Sequence, residues 1–138
     1  MNENQQAEND IRTILQREQI TLADGREITV RAYTFMDSLR VMQIARPLIT
    51  ALQAYFDRMR ENREVDLVGL AEVFAADPDA MVQLLEFGSD LTGPEIAELN
   101  DADGSALLWA WWNLNADFFT RRLVEQAGAQ AAVRQARR

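Results

Sequence analysis

The sequence contains no cysteine, no histidine and no lysine, so all 14 of its basic residues are arginine. The absence of cysteine excludes disulfides and thiolate metal sites. The chain also lacks the residues that most often act as general base, as nucleophilic thiolate or as Schiff-base amine. Its only serines are Ser38, Ser89 and Ser105, and no histidine or lysine is present to activate them. The composition therefore predicts a protein that is not an enzyme, with no catalytic residue, no cofactor and no metal.

Long hydrophobic runs are also missing. No apolar stretch approaches the roughly 18 residues that a membrane span requires. The first ten residues, MNENQQAEND, are polar and do not resemble a signal peptide. At 138 residues and 48% hydrophobic content, the chain is long enough for one domain with a real core. We therefore expect a cytoplasmic protein that does not act at a membrane.

The net charge of −8 is unevenly distributed along the chain. Residues 1–63 carry nine acids and nine arginines, residues 64–120 carry twelve acids and no base, and residues 121–138 carry five arginines and one acid. An acidic block of this size repels the phosphate backbone, which argues against nucleic-acid binding. Two interpretations remain, a solvated helical face and a surface that attracts a basic partner.

The segment 19–34 alternates apolar and polar residues on both sides of Asp24-Gly25, which predicts a β-hairpin. A two-residue loop would mix the apolar and polar faces of the two strands. A three-residue loop from Asp24 to Arg26 keeps the apolar side chains on one face, and this face selects the register. The predicted pairs are Leu22 with Ile28 and Ile20 with Val30.

The first long helix is predicted to start after the hairpin, with Thr34 and Asp37 as a capping pair. Its core stripe follows helical spacing and comprises Val41, Ala45, Leu48, Leu52, Tyr55 and Met59. Pro47 lies inside this pattern and is expected to kink the helix or to split it at Arg46. Further on, Asp77-Pro78 is typical of a helix start, with aspartate as cap and proline at the first helical position.

These features predict a mainly α fold, in which a short N-terminal β-hairpin precedes a bundle of about four to five helices. Residues 1–18 are interpreted as a flexible N-terminal arm, residues 19–34 as the hairpin and residues 35–127 as the helical domain. Residues 128–138 are expected to form a frayed, arginine-containing tail.

The last helix is expected to begin between Asp101 and Ser105 and to carry two apolar stripes rather than one. The first stripe is Leu107, Trp111, Leu114 and Phe118, and the second is Leu108, Trp112, Phe119 and Leu123. Asn115 lies between the stripes, where its amide needs either a buried backbone partner or a polar group across an interface. Trp109 lies off both stripes, either covered by a neighbouring segment or exposed as an interface anchor.

Two stripes indicate a helix that packs on two sides, and the second side could be further core or a partner. The candidate partner-binding residues are Trp109, Trp112, Asn115, Phe119 and Leu123.

The acids of Asn100–Gly104 invite a calcium interpretation, but the spacing puts Leu99 and Ala110 at positions that must ligate the ion. A helix N-terminus explains Asp101 and Asp103 better, because carboxylates there accept from free N–H groups.

The order of these features resembles the tail assembly chaperones of long-tailed bacteriophages and prophages. The matching segments are the hairpin ITLADGREITVRAYTF, the proline-bearing helix RVMQIARPLITALQAY, the acidic middle ending EIAELNDADGSALLWAWW, and the closing helix NLNADFF. The likeness extends from Gln19 to Phe119 and rests on the order of elements rather than on a signature motif.

The resemblance implies an assembly factor of the host cytoplasm that is absent from the mature virion. Such chaperones bind the tape-measure protein while tail-tube subunits assemble around it, and many also have a longer, frameshifted form. The family has no shared catalytic residues, so none is transferred to this chain. Separately from the resemblance, exposed aromatic side chains and the hairpin edge are compatible with self-association into a homo-oligomer.

Two other hypotheses come from the residues alone. The acidic block is compatible with an acidic DNA-mimic inhibitor or another protein-binding adaptor, whose binding would be sensitive to salt. A small hydrolase built on the Asp101 and Asp103 carboxylates is the third, although a helical domain of this size rarely provides a substrate cleft.

Overall fold

A computed structural model describes residues 3–4, 16–62 and 67–136. It contains an antiparallel pair of strands, β1 (Arg17–Thr21) and β2 (Glu27–Arg31). The helices that follow in the described residues are α1 (Phe35–Asn62), α2 (Leu67–Ala75), α3 (Pro78–Phe87), α4 (Gly93–Ala97) and α5 (Asp101–Ala136). The predicted architecture of a hairpin followed by a helical bundle is confirmed. Most of the predicted arm, residues 1–18, lies outside the described residues, and β1 begins within it at Arg17.

The hairpin has the predicted apolar face but a different register. Ile20 pairs with Ile28, and not with Val30 as expected. The observed pairing is shifted by two residues, so the same side chains stay on the same face and the face alone could not distinguish the two registers. Leu22, Ile28 and Val30 are buried on that face.

The turn chemistry explains the shift. The loop is Ala23-Asp24-Gly25, with the Gly25 N–H donating to the Leu22 carbonyl (2.9 Å) and the Leu22 N–H to the Arg26 carbonyl (2.8 Å). Three-residue hairpin loops place a left-handed residue at the third position, and Gly25 has a φ of +89°. The predicted register put Arg26 at this position, where a side chain is disfavoured.

Helix α1 begins at a reciprocal cap, as predicted. The Asp37 N–H donates to the Thr34 hydroxyl (3.1 Å), and the Thr34 N–H donates to the Asp37 carboxylate (3.2 Å). The helix then continues through Pro47 without interruption, so the expectation of a split at Arg46 is wrong. Pro47 is exposed, as is Gln43 one turn earlier, so water can reach the carbonyl that loses its partner.

The short helices between α1 and α5 have specific caps. The Asp77 carboxylate accepts from the Ala80 N–H (3.2 Å) at the start of α3, with Pro78 at the first helical position as predicted. Thr92 and Glu95 form a capping box around α4. Hydrogen bonds from the Thr92 backbone and hydroxyl, followed by one from Arg26, lower the pKa of Glu95.

Helix α5 continues to Ala136, whereas the sequence predicted an end near Ala127 and a frayed tail over 128–138. The correction follows from composition, because the segment is rich in alanine, the best helix former, and Gly128 alone does not stop it. Arg137 and Arg138 lie outside the described residues. No helix in the described part of the chain is both long and apolar enough to cross a membrane.

Two glycines give a matched test of the hairpin turn. We expect Gly25→Ala to lower the free energy of unfolding by about 1–2 kcal/mol, because alanine is strained at a left-handed φ. Gly104→Ala in the first turn of α5 should raise it by about 0.5–1 kcal/mol, since an added methyl meets no atom within 4 Å. Urea denaturation measures both, and equal effects of the two substitutions would contradict the turn assignment.

Candidate protein-binding surface

The five residues predicted to bind a partner all lie on α5, but the structure does not present them together. Asn115 and Phe119 are buried, with exposed fractions of 2% and 0%, so these two predictions are corrected. Trp109, Trp112 and Leu123 are partly buried and pack against the core. The second apolar stripe is therefore mostly internal.

The buried amide of Asn115 pairs with backbone groups at the end of the hairpin and on α5 itself. Its Oδ1 accepts from the Tyr33 N–H (2.8 Å), and its Nδ2 donates to the carbonyls of Arg31 (3.2 Å) and Trp111 (3.1 Å). Of the two partners that the sequence left open, the structure shows the buried backbone.

Tyr33 and Trp111 continue this network. The Trp111 indole N–H donates to the Tyr33 hydroxyl (2.9 Å), which in turn donates to the Leu84 carbonyl on α3 (2.6 Å). Phe118 packs edge-on against the Tyr33 ring, with centroids 5.5 Å apart. Burial raises the pKa of the Tyr33 hydroxyl well above its ordinary value, and the hydrogen bond from Trp111 offsets this only in part.

Phe74 on α2 covers the remaining tryptophans. Its ring lies 6.0 Å from that of Trp109 and 5.3 Å from that of Trp112, both in edge-on geometry. Trp109 is thus covered by a neighbouring segment rather than exposed as an anchor. The sequence could not predict this contact, because no sequence pattern indicates that α2 packs against α5.

Three of the exposed large apolar residues among those described lie together at one place on α1. Phe35, Met36 and Leu39, at the start of α1, have exposed fractions of 74%, 52% and 49%. We call these three residues the α1 patch. Large apolar side chains grouped on a surface are typical of protein-binding sites.

Sequence reasoning missed the α1 patch, although the signal was present. At about 100° per residue, Leu39 lies roughly opposite the Val41 core stripe, with Phe35 and Met36 on either side of it. Because the Val41 stripe already faces the core, three large apolar residues on the opposite side of α1 are expected to face away from it.

The surroundings of the α1 patch differ in charge from the acidic segment 67–120. Arg40 and Arg46 are exposed on α1 close to the patch. In residues 67–120, which contain no base, the described ion pairs reach only Glu95, from Arg26 at 2.9 Å, and Asp90, from Arg31 at 3.9 Å. The exposed acids of this segment without a described ion pair are Glu72, Asp77, Asp79, Glu86, Glu98, Asp101 and Asp117.

The acids at the start of α5 have a structural role. Asn100 accepts from the Asp103 N–H (2.8 Å), and the Asp103 carboxylate accepts from the Ala23 N–H in the hairpin loop (3.1 and 3.2 Å). These contacts fit the predicted helix N-terminus and join it to the hairpin. Within the described ranges, no group of carboxylates is arranged to hold a metal ion.

The comparison with family models gives one match. Residues 10–138 match a family of unknown function, DUF6631. The chain belongs to this family. No curated protein and no solved structure matches the chain. The description of the family names no activity.

Replacing Asn115 tests the hydrogen-bond network around its side chain. We expect Asn115→Ala to lower the free energy of unfolding by about 2–4 kcal/mol, because the partly buried Tyr33 N–H and Arg31 carbonyl both lose the partner that the buried Asn115 supplies. The exposed Asn113, two residues earlier on α5, is the matched control, and its change to alanine should stay within about 0.5 kcal/mol. Urea denaturation measures both. Similar values for the two variants would show that the Asn115 contacts contribute little.

The buried hydroxyl of Tyr33 predicts loss of stability at alkaline pH. Its raised pKa means that the folded state keeps the proton while the unfolded chain loses it above about pH 10. The contribution of the Tyr33 hydroxyl to the free energy of unfolding is therefore fully present below pH 10, and it declines by about 1.4 kcal/mol per pH unit above pH 10. Urea midpoints at pH 9 and pH 11 should differ more for the wild type than for Tyr33→Phe. An equal difference in both proteins would assign the alkaline loss to other groups.

Proposed function

We propose that this chain is a phage tail assembly chaperone that binds the tape-measure protein, and the tail-tube subunits that assemble around it, in the host cytoplasm. The observation that supports this most directly is the α1 patch, three exposed large apolar side chains on a helix whose opposite face is packed. A chaperone that keeps a long client soluble needs an apolar surface of its own for the client's apolar segments.

The packing beneath the patch supports a permanently available surface. Ser38, the fourth residue of α1, is buried, and its hydroxyl donates to the Phe35 carbonyl (2.6 Å). Together with the Thr34–Asp37 cap, this contact fixes the first turn and holds Phe35 and Leu39 outward. A preorganised surface binds with a smaller loss of conformational entropy than one that must order on contact.

The order of elements gives the second support. The hairpin, the proline-bearing α1, the acidic middle and the closing helix α5 are the segments on which the resemblance to tail assembly chaperones rests, and each forms a defined element or region. The arginines near the patch and the acidic segment beyond it give the molecule two surfaces of different charge.

Co-expression tests the proposal. The tape-measure protein encoded beside this chain should be insoluble alone and soluble when the chain is co-expressed. We expect Phe35→Ser combined with Leu39→Ser to reduce the soluble fraction to that of the client alone, because the double variant removes two of the three apolar side chains of the α1 patch. Gln43→Ser, an exposed position one turn further along α1, is the control and should retain full activity.

Folding of the double variant is checked separately. Exposed positions contribute little to stability, so its urea midpoint should match that of the wild type within error. A client that stays insoluble with the wild-type chain, or that is equally soluble with the double variant, would contradict the proposal. The gene neighbourhood gives an independent check, since tail genes and a slippery heptamer near the end of the reading frame are expected there.

A second candidate function follows from the acidic segment. Seven exposed acids without a described ion pair, in a segment lacking any base, are the feature expected of an acidic adaptor or DNA-mimic inhibitor. That function requires binding to a DNA-binding protein that weakens steeply with salt. Binding to the tape-measure protein through apolar contacts would depend much less on ionic strength, so a salt titration of the complex distinguishes the two.

A further inference from the structure

The last part of α5 is a basic helix that extends beyond the core after Leu123. We call Arg121–Ala136 the C-terminal arm. These 16 residues correspond to roughly 24 Å of helix. All of the arm's described side chains from Val124 onward are exposed, including Val124 at 66% and Val133 at 50%. The arm carries three arginines and one acid, on a chain whose first 120 residues have twelve more acids than bases.

One face of the arm combines an apolar centre with basic edges. On a helical wheel, Arg121 and Arg134 lie roughly 60° and 80° to either side of Val124. Gly128 lies between Val124 and Arg121 on the same face, and space is open around it. Isolated helices of this length are marginal in water, so a basic helix with exposed valines is stabilised when a complementary surface covers it.

A groove of complementary character lies between α2, α3 and α5. It has a volume of about 270 Å³ and is apolar at its floor, where the buried Phe74, Met81 and Leu85 lie. Ala71, Ala75, Val82 and Leu108 also line it. We call it the acidic groove because of its edges. Asp79 and Glu86 share the α3 face of Val82, at spacings of three and four residues, and Asp101 shares the α5 face of Gly104 and Leu108. All three acids are exposed and have no described ion pair, and the Glu86 carboxylate also accepts a hydrogen bond from the Gly93 N–H.

The arm cannot reach the groove of its own chain. Gly104 and Leu108 line the groove and belong to the same continuous helix as the arm. From Leu108 to Arg121 the helix rises by roughly 20 Å, directed away from the groove. An unbroken helix cannot fold back on itself, so any arm that occupies the groove belongs to another molecule.

We propose that the C-terminal arm of one copy of this chain docks into the acidic groove of a second copy. Val124 contacts the apolar floor, and Arg121 and Arg134 face the acidic edges. This contact is heterologous, because the two copies contribute different surfaces, so each added copy leaves one arm and one groove free. The result is a head-to-tail chain of molecules that ends only where the geometry closes a ring. Self-assembly of this kind is independent of the proposed client.

Charge reversal tests the contact without any client. At low salt, the wild-type chain should sediment as species larger than its 15.7 kDa monomer, and the association constant should fall at least roughly tenfold between 0.05 and 0.5 M NaCl. The arm variant Arg121→Glu with Arg134→Glu should be monomeric. The groove variant Asp79→Arg with Asp101→Arg should also be monomeric. The double reversal Arg58→Glu with Arg60→Glu, at exposed positions near the end of α1, is the control and should assemble as the wild type does.

Mixing the two monomeric variants gives the decisive result. The acidic arm of the first fits the basic groove of the second, and the unchanged arm and groove also match, so the equimolar mixture should assemble again. Recovery shows in addition that both variants are folded, and their circular dichroism spectra check this independently. A wild type that is monomeric at low salt and roughly 100 µM overturns the proposal. Assembly that survives either reversal, or a mixture of folded variants that stays monomeric, overturns it as well.

Discussion

The Asn115 side chain is the contact on which the arrangement of this fold depends. Its amide joins α5 to the end of the hairpin, where β2 has finished and α1 has not begun, through the Arg31 carbonyl and the Tyr33 N–H. An apolar side chain in place of Asn115 removes a hydrogen-bond partner from both of these partly buried backbone groups. The position and direction of α1, which begins four residues after Arg31, follow from this connection.

Trp111, one turn before Asn115, extends the same constraint to α3. A Cβ at Gly88, the C-cap of α3, would lie 2.7 Å from Cδ1 of Trp111, so only glycine allows this approach. The Gly88 carbonyl then accepts from the Arg31 N–H (2.8 Å), and Asp90 accepts from the Thr29 N–H (3.0 Å). The outer edge of β2 is thereby covered by the chain itself, and hairpin, α3 and α5 meet around one tryptophan and one glycine.

Local sequence patterns are sufficient to predict the strands and helices, but not which of these elements pack against each other. Alternation predicted the hairpin face, and Thr34, Asp77 and Pro78 predicted two helix starts, because these signals act within a few residues. The register required knowing that Gly25 occupies the third loop position. A helical wheel shows how many sides of a helix are apolar but not what covers them, so the wheel assigns Trp112 and Phe119 to a partner. In the structure Phe74 packs against Trp112, and Phe119 is buried in the core. The exposed α1 patch was predictable in principle, since Leu39 lies opposite a complete core stripe.

The two surfaces proposed for binding are linked through α5. Asn115 and Trp111 join α5 to Tyr33 at the end of the hairpin, and the arm continues the same helix beyond these contacts. The α1 patch is fixed to the same framework, since α1 starts directly beyond Tyr33. In a head-to-tail assembly each copy therefore repeats the same displacement, and successive α1 patches recur at a constant interval. A regularly repeated apolar patch suits a long client such as a tape-measure protein, because each additional patch binds at a high effective concentration and adds avidity without any new kind of contact.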